Sequence, residues 1–296
     1  TEFENPPAGV LEQLAGRTRV APNPRAVAIA QDRIDEKRFL THLGLRAAPW
    51  ARLVTAADAA AVGSVGMPAI VKTARLGYDG KGQIGAESFD EVMSAWERLE
   101  RVPCVVERRL PLDVEVSAIV ARGSDGDTVA YPLAANEHGD GILDVSVVPA
   151  PIAPAIADEA LAAATEIAAA LDYIGVLAVE FFISGGELFV NEIAPRPHNS
   201  GHWTLDAAHT DQFAQQLRAV TGAALGEATM TSPTAVMVNL LGDLWTDGQP
   251  DWSGIVAAPR AHLHLYGKTT ARPGRKMGHL TLSGDGTVTA GELRTR

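Results

Sequence analysis

Side chains that could bind a metal or an anion are concentrated in one short segment of the chain. Residues 191–203 place an acid, a guanidinium, two imidazoles and two amides within thirteen positions. The segment directly follows residues 188–190, which have the composition of a β-strand. Its chemically useful members are Asn191, Glu192, Arg196, His198, Asn199 and His202. We therefore expect the strands and turns next to this segment to position its side chains.

A second acid lies in the strand-like run before this segment. Residues 176–183 are apolar, β-branched or aromatic except for Glu180, and the glycine-containing turn 184–187 leads back towards Glu192. The pattern predicts a β-hairpin with one acid on each arm. The two acids can lie opposite each other only if the loop has an odd number of residues, with a glycine supplying a positive φ.

A facing pair of carboxylates is suited to Mg²⁺. This ion takes one or two protein carboxylates, several waters and the oxygens of a polyphosphate. Glu180 and Glu192 therefore predict a nucleotide phosphate as well as a metal. The alternative is two acids on a solvated strand face.

A glycine-rich loop at residues 77–83 is the candidate phosphate site. Three glycines within six positions let backbone N–H groups approach an anion closely. The loop matches neither the Walker pattern nor GxGxxG, so it predicts another kind of nucleotide site. Lys72 ends the apolar run before the loop, and a lysine buried there needs a carboxylate or phosphate partner. The alternative is a flexible hairpin tip with one solvated lysine, Lys81.

Two acids and two histidines elsewhere have less specific spacing. Glu107 closes one apolar strand and Glu115 begins another, and either could bind a ribose hydroxyl or an adenine amine; surface strand ends are the alternative. His262 and His264 share a strand face by their spacing, which could indicate a metal. The sequence offers no evident third ligand, so packing is the interpretation for this pair.

A basic turn near the end of the chain is a candidate phosphate clamp. Lys268 and Arg275 lie on either side of a turn at Pro273-Gly274, so the two cations can converge. A phosphate monoester would fit between them. The alternative is a solvated basic turn in an otherwise acidic protein.

Composition narrows the class of protein. The chain has 296 residues, 46% hydrophobic and 21% charged, which predicts a soluble globular protein of two or three subdomains. Its formal charge of −11 argues against a nucleic-acid partner. The sequence shows neither a membrane span nor a signal peptide. The single cysteine, Cys104, fits a reducing cytoplasm and a role in core packing.

Periodicity and capping signals indicate mixed helices and strands. Helices are predicted at 32–43, 55–65, 88–101, 154–171 and 211–220, and strands at 69–72, 104–108, 114–121, 128–132 and 142–149. From residue 234 onward short apolar runs alternate with turns, which predicts a β-rich module without convincing helix signals. Thr1–Asn5 has the composition of a strand end, and the sequence begins without Met, so we expect a fragment.

Together these motifs resemble a known family. The segments 69–72, 77–83, 191–203 and 272–279 are similar to those of the N5-carboxyaminoimidazole ribonucleotide synthetases, the biotin-independent ATP-grasp carboxylases of purine synthesis. The string Pro-Arg-x-His-Asn-Ser-Gly-His-Trp, at 195–203, is specific to that family among ATP-grasp proteins. The resemblance covers essentially the whole chain. The family normally begins with a Rossmann-like domain bearing a Gly-rich turn, of which only the final strand is expected here, and some of the carboxy-terminal end is expected to be missing.

The resemblance implies an α+β fold of the ATP-grasp type, in which two subdomains grip ATP. It implies a remnant of the amino-terminal domain at 1–30, a small lid subdomain at 31–112, a large subdomain at 113–230 and a β-rich carboxy-terminal module at 231–296. It is compatible with a cytoplasmic homodimer that binds small molecules and neither nucleic acid nor membrane.

The resemblance also implies a ligase reaction and its site. Bicarbonate attacks the γ-phosphate of ATP to give carboxyphosphate, which delivers CO₂ to the exocyclic amine of aminoimidazole ribonucleotide. Two Mg²⁺ ions are expected on Glu180 and Glu192, with Lys72, Arg196 and His198 as catalytic residues. ATP is expected at Arg33, Lys72, Gly77, Tyr78, Asp79, Gly80, Lys81, Gly82, Gln83, Glu107, Leu110, Glu115, His138, Asn191 and Glu192. The ribonucleotide is expected at Tyr78, Asp79, Arg196, His198, Asn199, Lys268 and Arg275, with Asn199 helping to orient bicarbonate or metal.

Two other functions are compatible with the motifs. A sister ATP-grasp ligase would keep Lys72 and the acid pair but change the acceptor pocket. A non-catalytic ATP-binding module would bind the nucleotide without releasing ADP.

Overall fold

The computed structural model of the protein describes residues 5–77 and 80–285. Its strands are β1 (Trp50–Leu53), β2 (Ala69–Thr73), β3 (Gln83–Ala86), β4 (Cys104–Arg108), β5 (Val114–Arg122), β6 (Thr128–Ala130), β7 (Ala134–Gly139), β8 (Ile142–Val148), β9 (Gly175–Ser184), β10 (Glu187–Ala194), β11 (Thr234–Leu241), β12 (Ala261–Leu265) and β13 (Lys276–Gly284). Its α-helices are α1 (Ala8–Ala15), α2 (Pro24–Ala30), α3 (Arg33–His42), α4 (Ala59–Gly63), α5 (Phe89–Arg98), α6 (Pro154–Ala170), α7 (Thr204–Ala207), α8 (Gln212–Thr221) and α9 (Ser253–Ala257). None of these helices is long and apolar enough to cross a membrane.

The strands form two antiparallel sheets. The small sheet has the order β1-β4-β2-β3, and the large sheet has the order β10-β9-β5-β7-β8-β11-β13-β12, with β6 paired to β5. The last three strands do not form a sheet of their own, because β11 pairs with β8 and continues the large sheet. The predicted β-rich end is therefore structurally continuous with the strands before it.

Capping residues set the ends of the predicted helices. Asp32 caps α3 by accepting a hydrogen bond from the N–H of Ile34 at 3.0 Å. Ser88 caps α5 through the N–H of Glu91, but the Glu91 carboxylate binds the N–H of Glu87, so the predicted capping box is only half formed. At the end of α8, Gly222 has a φ of 76°, the left-handed conformation that the predicted helix stop requires.

Several elements were absent from the predicted pattern. Helices α1 and α2 precede residue 31, and strand β7 joins β5 to β8 in the large sheet. Helix α9 lies in the region where no helix was expected. The predicted strand end at Thr1–Asn5 falls almost entirely outside the described residues.

The long apolar run in β9 is buried on both faces of the large sheet. Leu177, Val179 and Phe181 pack into one core with the alanine-rich α6, as predicted for that helix. Val176 and Ala178 pack into a second core on the opposite face. Because side chains alternate along a strand, Glu180 shares the face of Val176 and Ala178. Covering both faces explains why this strand is nearly all apolar.

Candidate active site

The hairpin of β9 and β10 places Glu180 directly opposite Glu192, as their pairing in the sheet shows. The loop has two residues, Gly185 and Gly186, with φ of 59° and 74°. The expected odd-numbered loop is therefore wrong. A β-bulge between Val190 and Glu192 supplies the extra residue instead, and it shifts the register so that the acids face each other.

The charged form of Glu180 is disfavoured in this position. Burial and, after it, the nearby Glu192 raise the pKa of Glu180 to about 8, although His138 opposes the shift. Two carboxylates that face each other fit a divalent cation with a preference for oxygen ligands. The donor set therefore fits the predicted Mg²⁺ site.

The first turn of α3 connects this pair to the glycine loop. Arg33 Nη2 lies 3.4 Å from Glu192 Oε2 and 3.3 Å from the carbonyl oxygen of Gly77. Gly82 has a φ of 74°, and a Cβ there would come within 2.7 Å of Thr73 Oγ1. The loop therefore requires glycine for its backbone and packing, while Arg33 ties its start to the acid pair. Tyr78 and Asp79 lie outside the described residues.

Lys72 has the carboxylate partner that its position in the strand predicts. Glu107 binds Lys72 Nζ through Oε2 at 3.0 Å and Lys37 Nζ through Oε1 at 3.4 Å. Burial opposes the charge on Glu107, but the two lysines outweigh it and lower its pKa to about 2. Both oxygens of Glu107 are thus occupied by lysines, and its contact with a nucleotide stays a prediction.

Other residues expected at ATP lie on neighbouring elements. Glu115 on β5 and His138 on β7 are joined by a 2.9 Å contact between Oε2 and Nδ1. Burial lowers the pKa of His138, but Glu115 outweighs this and raises it. Gln83 begins β3 opposite Lys72, and Leu110 is half-buried in the connection between β4 and β5.

His198 is held between Glu180 and a chain of buried hydroxyl and amide groups. Its Nε2 lies 3.1 Å from Glu180 Oε1, and its Nδ1 lies 2.8 Å from Ser200 Oγ. Ser200 Oγ in turn accepts from Ser117 Oγ at 2.7 Å, and Ser117 accepts from Asn136 Nδ2 at 3.0 Å. Burial, and then Arg196 among the nearby cations, hold the pKa of His198 well below its usual value, so the imidazole is neutral.

The groups around Nδ1 of His198 favour the tautomer that carries its proton on the other nitrogen. The N–H of Ser200 donates to Nδ1 at 3.4 Å, so Nδ1 is an acceptor and the proton lies on Nε2, facing Glu180. Arg196, two residues earlier, donates to the carbonyl oxygen of Pro197 at 2.9 Å. The segment thus presents a neutral N–H donor and a guanidinium close together.

Asn199 connects the segment to the carboxy-terminal strands. Asn199 Nδ2 donates to Asn239 Oδ1 at 3.0 Å, and Asn239 Nδ2 donates to Asn199 Oδ1 at 2.8 Å. Asn239 Nδ2 also binds the carbonyl oxygen of Leu143 on β8. Both ends of the Asn199 amide are therefore engaged in holding the segment against β11 and β8.

The predicted basic clamp lies on a cleft of ≈ 470 Å³. Burial, and then Arg275 and Lys276, lower the pKa of Lys268, which indicates a local excess of positive charge. Arg275 Nη1 binds the carbonyl oxygen of Thr270 at 2.6 Å, which orders the turn. The cleft is lined by Lys81, Lys268, Arg272, Pro273, Gly274, Arg275 and Lys276. The glycine loop and the basic turn thus contribute cations to one cleft.

The interpretation of His262 and His264 needs a correction. Asp206 and His279 lie beside His264, with possible metal-binding atoms within 4.8 Å of one another, so His264 has two further candidate ligands near it. However, the rings of His264 and His279 stack with centroids 4.4 Å apart and planes 11° apart. The in-plane lone pairs of two stacked rings run side by side and do not converge on one ion, so packing remains the better interpretation. His262 Nδ1 lies 3.7 Å from Asp206 Oδ1.

Sequence reasoning missed the residues that hold the site from a distance. Lys37 is almost completely buried in α3, and Ser117, Ser200 and Asn136 form the hydrogen bonds behind His198. The apolar positions of α3 predicted a helix, but Lys37 gave no signal of burial. Only Ser117, a small polar residue among the apolar positions of β5, could have indicated a buried network.

Comparisons with known proteins agree with this arrangement. The family "ATP-grasp domain" matches residues 38–213, and the family "Phosphoribosylaminoimidazole carboxylase C-terminal domain" matches residues 235–292. The N5-carboxyaminoimidazole ribonucleotide synthase of Brucella melitensis is 45% identical over 285 residues, which are 95% of this chain and 77% of that protein.

Solved structures with the same fold carry the same description. The synthetase from Thermus thermophilus has a TM-score of 0.88 and 41% identity, covering 96% of this chain and 76% of that one. The synthase from Aspergillus clavatus in complex with ADP and 5-aminoimidazole ribonucleotide has a TM-score of 0.86 and 28% identity, covering 99% and 78%. The chain belongs to the N5-carboxyaminoimidazole ribonucleotide synthase family of ATP-grasp ligases.

Proposed function

We propose that this chain uses ATP and bicarbonate to carboxylate the exocyclic amine of 5-aminoimidazole ribonucleotide, with release of ADP and phosphate. The observation that carries the proposal is the position of the Glu180–Glu192 pair. Glu192 is joined through Arg33 to the glycine loop, and Glu180 is joined through His198 to the family-specific segment. One acid pair thus connects the nucleotide side of the site with the acceptor side.

Two Mg²⁺ ions are assigned to this pair. Glu180 and Glu192 would hold them, with the nucleotide phosphates supplying further oxygen ligands. When bound, the ions neutralise charge on the phosphoryl oxygens. The raised pKa of Glu180 supports the assignment, because a cation would remove the repulsion that contributes to it.

Residues of the small sheet and its loop are assigned to ATP. Lys72 would place its ammonium at the phosphates, supported by Glu107, while backbone N–H groups of the loop 77–83 surround them. Arg33, which contacts the start of the loop, would bind the same phosphates. Contacts farther along the nucleotide are assigned to Leu110, Glu115, His138 and Asn191.

The acceptor and bicarbonate are assigned to the other side of the acid pair. Arg196 and His198 would lie at the reacting groups, where the guanidinium can stabilise developing negative charge while the Nε2–H of His198 is donated to Glu180. Lys268 and Arg275 would bind the phosphate of the ribonucleotide in the basic cleft, with Lys81 closing that cleft from the loop. Asn199 would support this side through its bonds to Asn239.

The chemistry couples two transfers. A bicarbonate oxygen attacks the γ-phosphorus, the bond to the β-phosphate oxygen breaks, and ADP leaves. The resulting carboxyphosphate separates into CO₂ and phosphate, and the amine nitrogen attacks CO₂ and loses a proton to form the carbamate. Positioning and charge stabilisation are what this requires of the protein.

The division into segments 1–30, 31–112, 113–230 and 231–296 belongs to the same proposal. So do the homodimer, the cytoplasmic location and the lack of nucleic-acid or membrane partners.

ADP release tests the proposal when it is assayed with and without the ribonucleotide and bicarbonate. We expect ADP release to require both, and labelled bicarbonate to enter an acid-labile carbamate. ADP release that depends on another acceptor would indicate a sister ligase. Stabilisation by ATP without any ADP release would indicate a binding module.

A further inference from the structure

Helix α3 contacts the backbone of β10 on both sides of Glu192. Lys37 Nζ donates to the carbonyl oxygen of Asn191 at 2.8 Å, and Glu36 Oε1 accepts from the N–H of Ile193 at 2.6 Å. Both side chains are almost completely buried, with 1% and 2% of their surface exposed. These two contacts therefore bracket the residue that faces Glu180.

The contacts fall where the strand is irregular. β10 is an edge strand of the large sheet, and the bulge at Asn191 interrupts its pairing with β9. A bulge leaves an extra residue unpaired in the ladder, and buried backbone groups need hydrogen-bond partners. Glu36 and Lys37 supply partners for a donor and an acceptor on this stretch of edge strand.

The bulge decides where Glu192 points. Leu188 and Val190 face the core beneath α6, and regular alternation would send Glu192 into that same core. With the bulge, Ile193 enters the core instead and Glu192 pairs with Glu180. In the regular register Asn191 would oppose Glu180, so the acid pair exists only while the bulge is maintained.

Lys37 also joins the bulge to the small sheet. The same ammonium that binds Asn191 lies 3.4 Å from Glu107, whose other oxygen binds Lys72. Burying a lysine is costly unless it is paired and hydrogen-bonded, and Lys37 has both kinds of partner here. Its two contacts span the junction between the strand of Glu192 and the strands of Lys72 and Glu107.

We propose that Glu36 and Lys37 are positioning residues that hold the β10 bulge and thereby place Glu192 opposite Glu180. The proposal rests on the proposed function in one respect, the role of the acid pair as a metal site. The positioning itself concerns only strand register and can be measured without catalysis.

A pair of substitutions at residue 36 tests the positioning. Glu36→Gln keeps an oxygen acceptor for the N–H of Ile193, whereas Glu36→Met keeps the volume and removes the acceptor. We expect Glu36→Met to weaken Mn²⁺ binding in the presence of ADP by at least about tenfold, measured by electron paramagnetic resonance. Glu36→Gln should stay within about threefold of the wild type.

Register provides the second measurement. In a crystal structure of the Glu36→Met variant we expect Glu180 to lose its pairing with Glu192. If that variant does not fold, Lys37→Gln carries the same test, because it removes the ammonium bound to Asn191 and leaves a polar group. Wild-type Mn²⁺ affinity together with an intact bulge in the folded variant would overturn the proposal.

The two proposals fail in different ways. If wild-type protein binds no Mn²⁺ at the acid pair, the metal role is wrong, and the register of β9 and β10 in the variants still decides the positioning. If Mn²⁺ binds normally to the wild type and register does not change in the variants, only the positioning is wrong.

Discussion

The Nε2 atom of His198 lies 3.1 Å from Oε1 of Glu180, so a neutral imidazole donates a hydrogen bond to one half of the acid pair. The direction of this bond depends on Nδ1, which accepts from the N–H of Ser200 and contacts its hydroxyl. Fixing the tautomer of a histidine through its second nitrogen is a general way to orient the group that acts. Ser200 is therefore expected to influence catalysis without touching a substrate.

Ser200→Ala should weaken the preference of His198 for the Nε2–H tautomer. The hydroxyl that contacts Nδ1 is lost, and Ser117 Oγ loses its acceptor. We expect kcat to fall by about three- to tenfold, the value of one hydrogen bond, with little change in KM for ATP. Nitrogen chemical shifts of the His198 ring measure the tautomer directly. Ser146→Ala, at the far end of the same network, is the control and should leave the ring shifts unchanged.

Glu180→Gln should stop turnover and yet stabilise the metal-free protein at high pH. Removing one negative charge from the metal site should lower turnover at least about a hundredfold, because the metal's neutralisation of phosphoryl charge is worth several kcal/mol. Glu192→Gln should do the same. Near-normal turnover in either variant would mean that the acid concerned is not a metal ligand.

The stability gain follows from the sign of the pKa shift. The pKa of Glu180 is raised to about 8 in the folded protein, so the fold loses stability as pH rises from its ordinary pKa, 4.5, towards 8. An amide does not ionise, so Tm of metal-free Glu180→Gln should exceed the wild-type Tm at about pH 8, and the gain should shrink by about pH 5. Equal Tm values at both pH values would contradict the shift.

Glu107 has the opposite shift and should make the protein sensitive to acid. Its pKa is lowered to about 2, so its contribution is present above its ordinary pKa, 4.5, and is lost as pH falls towards 2. Glu107→Gln leaves Lys37 and Lys72 without their shared charge and should cost about 3–5 kcal/mol in the free energy of unfolding at neutral pH. Urea unfolding measures the loss. Exposed Glu97→Gln, which breaks a surface pair with Arg101, is the control and should change stability by less than about 1 kcal/mol.

Local signals in the sequence predicted the elements that depend on local physics. Asp32 before α3, the Gly222 stop after α8 and the alanine-rich face of α6 are all determined by residues within a few positions. Strand β7 was missed because residues 134–139 end in polar and charged residues, without the alternation that marks a strand. Its pairing with β5 and β8 comes from the rest of the sheet.

The site was predicted in its residue types but not in its geometry. For Glu180 and Glu192 to face each other, the hairpin must contain one extra residue. We expected that residue in the turn, whereas the structure has it in the bulge at Asn191. A bulge held by Glu36 and Lys37 depends on contacts more than 150 positions apart in the chain, which periodicity cannot show. For the same reason the amide pair of Asn199 and Asn239 had no signal in the sequence.

Arg275→Ala should weaken the use of the ribonucleotide and leave ATP almost unaffected. The residue lines the basic cleft with Lys268 and Lys81, and a guanidinium–phosphate contact is a charge-assisted hydrogen bond of about 1.5–3 kcal/mol. We therefore expect kcat/KM for the ribonucleotide to fall about ten- to a hundredfold. Arg101→Ala, at an exposed arginine that pairs with Glu97 of helix α5, is the matched control and should change the use of neither substrate.

Two titrations decide where the Arg275 cation acts. Binding of the ribonucleotide and binding of ATP are each measured for the Arg275→Ala variant and for the wild type. Because the basic turn is assigned to the phosphate of the acceptor, only binding of the ribonucleotide should weaken. Equal weakening towards both would place the cation at the nucleotide phosphates, which the loop 77–83 and Lys72 are assigned to bind. Unchanged binding of both would leave Arg275 as a surface charge whose guanidinium only orders the turn through Thr270.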